Sequence, residues 1–138
     1  MKKRRLISLL MAGVCMFLLV IPAFATAKAS NQIYMYDIAV TPVSGTLNIK
    51  FSINAKAKMN EIGCESIYIY KKSGSSWVLV DSLDENDSGM SRSDTYSHKN
   101  TIYYDSESGV EYKVVVTVFA EDDSARDSRS RTSYVTGR

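Results

Sequence analysis

Residues 47–55 read LNIKFSINA, a stretch in which apolar and polar side chains alternate without a break. The apolar members are Leu47, Ile49, Phe51, Ile53 and Ala55. Because successive side chains of a β-strand point to opposite faces, this pattern predicts a strand with one face in a core and one in water. The same period returns at residues 34–40 and 110–120. Beyond residue 30 no long stretch keeps the helical period of 3.6, so this part of the chain is predicted to be all-β.

Further strand-like stretches complete the predicted fold. They are residues 64–71, 77–83, 95–104 and 128–136. Segments rich in Gly, Ser and Asp separate the stretches and predict turns. About seven short strands in a segment of this length are typical of a single antiparallel β-sandwich, which we predict for residues 30–138. Helix is expected in this domain as one turn near residues 58–62 at most.

The first 29 residues have the three parts of a signal peptide. Met1 is followed by four basic residues, an apolar run covers residues 6–20, and small residues follow Pro22. The apolar run is shorter than the about 20 residues of a membrane-spanning helix. We therefore predict a signal-peptide helix that is cleaved after Ala25 or Ala27. The remainder is predicted to be secreted, extracellular and free of the membrane.

Charge and cysteine content narrow the functions open to the exported part. Four of the 17 Lys and Arg lie at positions 2–5, which leaves 13 against 15 Asp and Glu and a net charge of −2. No Lys/Arg stripe is present, so nucleic acid is not an expected partner. Cys15 lies in the signal segment, which leaves Cys64 without an intramolecular disulfide partner. We expect Cys64 to be a small buried apolar side chain, with a reactive thiol as the alternative.

A predicted hairpin places three aromatic residues on one surface. If residues 72–75, KSGS, form the loop, each residue before it gains a cross-strand neighbour after it. The predicted pairs are Tyr70 with Trp77, Tyr68 with Leu79, Ile69 with Val78, and Ile67 with Val80. The aliphatic pairs suit the core, which leaves Tyr68, Tyr70 and Trp77 as an outer strip able to stack on sugar rings or anchor a protein interface. Ordinary cross-strand pairs favoured by β-propensity are the alternative.

Residues with catalytic or metal-binding chemistry are few. Asp84, Asn86 and Asp87 match the first half of a calcium loop, but Thr95 stands where such a loop needs a bidentate Glu. A metal site is therefore not expected, and weak calcium binding is the alternative. His98 is the single histidine and lies in a polar stretch, and no nucleophile motif marks a serine. An enzyme and a cofactor are not expected.

Residues 109–116, GVEYKVVV, resemble the F strand of fibronectin type III and related immunoglobulin-like domains. The resemblance implies that the Tyr112 hydroxyl binds nearby backbone, the contact known as a tyrosine corner. It also gives Gly109 a structural role in the turn before the strand. The expected fold is accordingly a fibronectin type III or immunoglobulin-like sandwich.

Several stretches are similar to a family of small exported proteins from Gram-positive bacteria that carries no assigned function. These are residues 58–63 (KMNEIG) before an IYIY strand, His98 with the tyrosine pair at 103–104, and residues 109–112 (GVEY). The resemblance implies export and a fold but no activity.

These observations predict a secreted, non-catalytic binding module. It would present loops or the aromatic strip to a surface glycan, a wall polymer or an extracellular protein, as a monomer or a weak homo-oligomer. One alternative is a structural or self-associating extracellular protein that pairs through an edge strand or the same aromatic strip. The other is a weakly calcium-binding or hydrolytic domain.

Overall fold

The computed structural model describes residues 31–138, and these residues confirm the predicted all-β class. Within them every strand is antiparallel to its neighbours and no helix occurs. The strands are β1 Ile33–Val43, β2 Thr46–Ser73, β3 Ser76–Asp84, β4 Ser91–Asp105, β5 Glu111–Glu121 and β6 Arg126–Thr136. This part of the chain accordingly contains no helix that could cross a membrane. The predicted signal peptide at residues 1–29 lies outside the described residues.

Strand β2 is the spine of the sheet. It is 28 residues long and carries a different pair of neighbours along each half. Its first half pairs with β1 on one side and with β4 on the other. Its second half pairs with β5 and with β3, and β6 continues the sheet beyond β5. The sheet is strongly curled, so the two halves of β2 contribute to one enclosed core.

The core follows the alternation of the sequence. Ile49, Phe51 and Ile53 of β2 are fully buried, as are Val114 and Val116 of β5. Their polar neighbours in the sequence point to the other face of the sheet. Each fully buried aliphatic or aromatic side chain contributes about 1.5–3 kcal/mol to folding, so the two strands supply much of the stability.

The strand count differs from the prediction because two predicted strands are one. The stretches at 47–55 and 64–71 are the two halves of β2, which stays extended through the residues between them. The predicted helical turn near residues 58–62 is therefore wrong. Met59 and Ile62 are both buried in the core, and this burial is gained in an extended chain that continues the sheet.

A bulge bends β2 at the junction of its halves. Asn54 pairs with Ser97 and Met59 pairs with Thr95, so four residues of β2 stand against one of β4. Extra residues in one strand of a pair bend that strand and increase its twist. The bend directs the second half of β2 toward β5 and gives the sheet its curl.

Side chains of β6 connect the curled sheet to β1. The buried carboxylate of Asp127 accepts a hydrogen bond from the Ile33 backbone amide at 3.2 Å and forms an ion pair with Arg129. Arg131 donates to the Ile38 carbonyl at 2.7 Å. Side chains of β6 thus satisfy part of the exposed backbone of β1.

Candidate functional site

Four adjacent strands build an aromatic surface on the outer side of the sheet. In order across the sheet, they are β3, β2, β5 and β6. Trp77 pairs with Lys72, Tyr70 pairs with Lys113, and Lys113 pairs with Tyr134. Cross-strand partners point to the same face, and so do residues two apart on one strand, so these side chains share a surface. We call Tyr68, Tyr70, Trp77 and Tyr134 the aromatic face.

Lys113 lies among the rings of the aromatic face. Its Nζ is 4.3 Å from the centroid of the Tyr70 ring and 5.7 Å from that of Trp77, both within the range of cation–π attraction. The Trp77 and Tyr134 rings are 5.7 Å apart and tilted by 54°. The ammonium group of Lys113 therefore links the aromatic residues of two strands, β2 and β3, and Trp77 joins them to Tyr134 of β6.

The charges around the aromatic face are unequally paired. Lys72 forms an ion pair of 2.9 Å with Glu111 while its Nζ also lies 5.8 Å from the Trp77 ring. Lys71 forms another of 2.8 Å with Glu107. Among the described residues no carboxylate lies within ion-pair distance of Lys113. Lys113 thus supplies a positive charge that no carboxylate of residues 31–138 pairs with.

A shallow groove runs between Trp77 and Tyr134. Its volume is about 150 Å³, and Glu111 and Thr136 complete its rim. Pockets for drug-sized ligands usually measure about 300–1,000 Å³, so this groove is too small to enclose one. Its shape suits a ligand that lies across the surface.

The structure corrects the predicted hairpin register. The loop is the two residues Gly74 and Ser75, with Gly74 at φ 61°, so Ser73 pairs with Ser76. The predicted partners are therefore wrong. The observed pairs are Trp77 with Lys72, Leu79 with Tyr70, Ser82 with Tyr68, Asp81 with Ile69 and Leu83 with Ile67. The two-residue loop is the preferred geometry because its twist matches that of the strands.

The observed register keeps Tyr70 and Trp77 on one face, but two residues predicted for the core lie outside it. Up to the bulge the observed register is shifted from the predicted one by two residues. A shift by an even number leaves every side chain on the face that was predicted for it. Val78 and Val80 were expected to face the core, yet they are 49% and 41% exposed. The bulge at Val80 and the position of β3 at the margin of the sheet account for the difference.

Tyr68 was predicted for the aromatic strip but contacts none of its rings, whereas Tyr134 was not predicted and does contact one. Tyr68 is 41% exposed on the predicted face, and within residues 31–138 its ring has no aromatic or cationic partner. Tyr134 is 66% exposed and contacts Trp77, but sequence reasoning did not select it. Its alternation with Thr132 and Thr136 indicates an outward position, whereas its proximity to Trp77 depends on the pairing of β6 with β5.

In the acidic loop after β3, Asp84 and Asp87 use their carboxylates within the turn, whereas Glu85 forms an ion pair with Arg126 of β6. Asp84 Oδ1 accepts from the Asn86 amide at 2.8 Å, and Asp87 Oδ2 accepts from the Asp84 amide at the same distance. In the part of the chain that the structure describes, no group of three or more acidic, histidine or cysteine side chains could hold a metal ion. The arrangement is that of a self-capped turn.

Cys64 and His98 are both engaged with backbone. The Cys64 thiol is fully buried and donates to the Thr117 carbonyl at 3.3 Å. Loss of hydration on burial raises its pKa to about 12, so almost no thiolate exists at neutral pH. His98 Nε2 lies 2.8 Å from the Gly89 carbonyl, and its ring packs 5.6 Å from that of Phe51.

Tyr112 makes the local contact that the resemblance implied. It is 2% exposed, and its hydroxyl accepts a hydrogen bond of 2.9 Å from the Glu107 backbone amide. Gly109, at φ 80°, allows the turn that brings Glu107 back toward the strand. The Gly109 amide in turn donates to the Gly137 carbonyl at 3.0 Å. These bonds fix the end of the sheet beside the aromatic face.

The comparisons with known proteins add little to this geometry. No protein-family model matches the sequence, and no curated protein matches it. The chain is similar to the solved structure of a hypothetical protein from Pyrococcus horikoshii OT3, at 9% identity and a TM-score of 0.41 over 76% of this chain and 93% of that one. That likeness carries no argument about function. The resemblance to an exported Gram-positive family stays a prediction.

Proposed function

We propose that this protein is a secreted, non-catalytic binding module whose aromatic face stacks on the sugar rings of a surface glycan or wall polymer. The observation that carries the proposal is the contact of the half-buried Trp77 ring with the exposed Tyr134 ring, with the Lys113 ammonium group 5.7 Å from the centroid of the Trp77 ring. Aromatic rings offer a large apolar surface that stacks on flat apolar partners. The groove beside these rings, at about 150 Å³, is too small to enclose a ligand, which suits a polymer that lies across the surface.

The charge of Lys113 favours a polymer with carboxylate or phosphate groups. A cation without a carboxylate partner gains most from an anion supplied by the ligand. Tyr70 and Trp77 already hold the ammonium group, so little conformational entropy remains to be lost when the ligand binds. The aromatic side chains are held on four hydrogen-bonded strands, which also limits the conformational entropy lost on binding.

Retention on isolated wall polymers and host glycans tests the proposal. Trp77→Ala and Tyr134→Ala are each expected to weaken binding about two- to tenfold, because an aromatic stacking contact contributes about 0.5–1.5 kcal/mol. Tyr103→Ala is the matched control, since Tyr103 is 67% exposed against 66% for Tyr134 and lies on β4. Equal loss in the control, or full retention by both variants, would contradict the proposal.

Lys113→Met separates the charge from the stacking. The variant keeps an unbranched side chain between the rings and removes the ammonium group. Its binding to acidic polymers is expected to fall and to lose most of its salt dependence, while binding to neutral polymers stays close to that of the original chain. The lone tryptophan, Trp77, provides the fluorescence signal for both titrations.

Export is part of the proposal and has its own test. The signal-like segment at residues 1–29 supports it. Mass spectrometry of the protein recovered outside the cell is expected to find an amino terminus just after Ala25 or Ala27. Recovery of the uncleaved chain in the cell fraction would contradict export and leave the aromatic face to be tested separately.

The proposed fold is a fibronectin type III-like sandwich. In this arrangement β1, the first half of β2 and part of β4 form one layer, and β3, the second half of β2, β5 and β6 form the other. The hydrogen bond between Tyr112 and Glu107 and the order of the strand pairings support it. An experimental structure with both halves of β2 in one flat layer would contradict it.

A further inference from the structure

In the described chain the outer edge of β3 is open along residues 76–80. Strand β3 pairs with β2 on one side, and nothing among residues 31–138 pairs with its other side. A free edge presents unpaired backbone amides and carbonyls, and proteins usually block such edges with charges, bulges or covering segments. Residues 76–80, SWVLV, contain no charge and no proline.

The other outer strands show the expected protection. Strand β1 carries Pro42, and its Ile38 carbonyl accepts a hydrogen bond from Arg131 of β6. Strand β4 has charged residues along its free edge, among them Arg92 and Lys99. Its backbone is also distorted at Asp94, a non-glycine residue at φ 53°. Strand β3 differs from these strands in that the uncharged part of its free edge carries three consecutive exposed apolar side chains.

Strand β3 is exposed on its side chains as well as on its backbone. Val78, Leu79 and Val80 are consecutive, and they are 49%, 50% and 41% exposed. Consecutive side chains of a strand point to opposite faces, so apolar surface is open on both sides of the same edge. A partner strand added at this edge would pair with the free backbone and place its own side chains beside these on both faces.

We propose that two copies of this chain pair antiparallel through the free edges of β3, about a two-fold axis at Val78. In this register Val78 lies opposite Val78 of the second copy, and Trp77 lies opposite Leu79 of the second copy. Ser76 lies opposite Val80. The pairs are apolar except at the ends. A cross-strand pair of an aromatic and an aliphatic side chain, such as Trp77 with Leu79, stabilises a sheet.

The charges of β3 favour this register. Asp81 and Asp84 are the charged residues of the strand, and both lie beyond the paired segment. The bulge at Val80 ends the regular part of the strand at the same place. A shift that placed Asp81 opposite Asp81 would bring two carboxylates together and is therefore excluded.

The segment is complementary to itself, which selects a second copy as the partner. A two-fold interface joins the same patch on both subunits, so an uncharged apolar strand fits its own antiparallel copy without further design. An unrelated extended peptide would need no symmetry and would leave the protein alone monomeric.

The pairing has a consequence for ligand binding that rests on the proposed function. A two-fold axis perpendicular to the sheet leaves both aromatic faces on the same side of one continuous sheet. A polymer with repeated sites could then engage both faces, and the second contact becomes intramolecular. The dimer itself does not depend on that ligand.

Sedimentation of residues 31–138, the part that holds the six strands and their common core, tests the pairing. We expect a monomer–dimer equilibrium that shifts with concentration in the absence of any ligand. Val78→Lys is expected to weaken association by about tenfold or more, because it places two ammonium groups opposite each other. Val43→Lys is the control, since Val43 is 45% exposed on β1 and should leave association unchanged.

Mixing two charge variants makes the test specific to the register. Val78→Lys and Val78→Asp should each be largely monomeric alone, and together they should form a heterodimer because opposite charges then face each other. A monomer at every concentration would overturn the proposal. Equal loss in Val43→Lys, or two variants that do not associate when mixed, would overturn it as well. Failure here with normal polymer retention leaves the aromatic face intact, so the two proposals are separable.

Discussion

The hydrogen bond between Tyr112 and the Glu107 amide can be removed almost alone. In Tyr112→Phe the ring stays, together with its edge contact to Tyr104 at 6.0 Å between centroids. The amide of Glu107 loses its 2.9 Å acceptor at a site where the ring is 2% exposed. A hydrogen bond contributes about 0.5–1.5 kcal/mol net, and an amide left without a partner costs about 1–3 kcal/mol. We expect the free energy of unfolding to fall by about 1–2 kcal/mol.

Urea unfolding followed by the fluorescence of Trp77 measures this loss. With a urea dependence of about 1.5 kcal/mol per M for a domain of this size, the midpoint should fall by about 1 M at constant slope. Tyr103→Phe is the control because its hydroxyl is on a ring that is 67% exposed. A midpoint of Tyr112→Phe equal to that of the original chain would refute the reasoning, and so would an equal fall in Tyr103→Phe.

A close backbone contact, a buried thiol and a hydrogen-bonded carboxylate each give a further prediction. Gly63→Ala should destabilise the protein by about 2–3 kcal/mol, since an added Cβ would lie 2.2 Å from the Met90 carbonyl oxygen, and thermal unfolding measures the loss. The buried Cys64 thiol, with its pKa raised to about 12, should react with a thiol reagent at pH 8 in urea and stay inert in the folded protein. Hydrogen bonds from Ser124 and Gln32, together with backbone amides, lower the pKa of Asp122 below its usual 3.8. Its stabilising contribution is therefore present above that pH and lost as the pH falls further, so Asp122→Ala should lose less stability than the original chain between pH 6 and about pH 2.

The alternation at residues 47–55 was sufficient to predict a strand with a buried face. It could not show that the strand continues through residues 56–63, where Lys and Asn interrupt the apolar pattern. Met59 and Ile62 are buried there by contacts with distant parts of the chain. Tertiary burial therefore overrode a local pattern that was compatible with a helical turn.

The aromatic face could be predicted in part for a related reason. Tyr70 and Trp77 are close in the sequence, so a hairpin assumption placed them together even with the wrong loop length. Tyr134 and Lys113 reach the same surface through the pairings of β5 with β2 and with β6. Those pairings join residues far apart in the chain, and no local sequence signal specifies their register.

Strand β2, which both halves of the sheet share, also determines how the protein unfolds. Because β2 pairs with β1, β3, β4 and β5, and both of its halves supply side chains to the same core, loss of one end of the sheet opens the core that the other end shares. Unfolding is therefore expected to be all-or-none, with no half-melted species at equilibrium. Refolding must close the long chain segments that join β2 to β4 and β5 before these pairings are gained, which places it in the slow range of milliseconds to seconds.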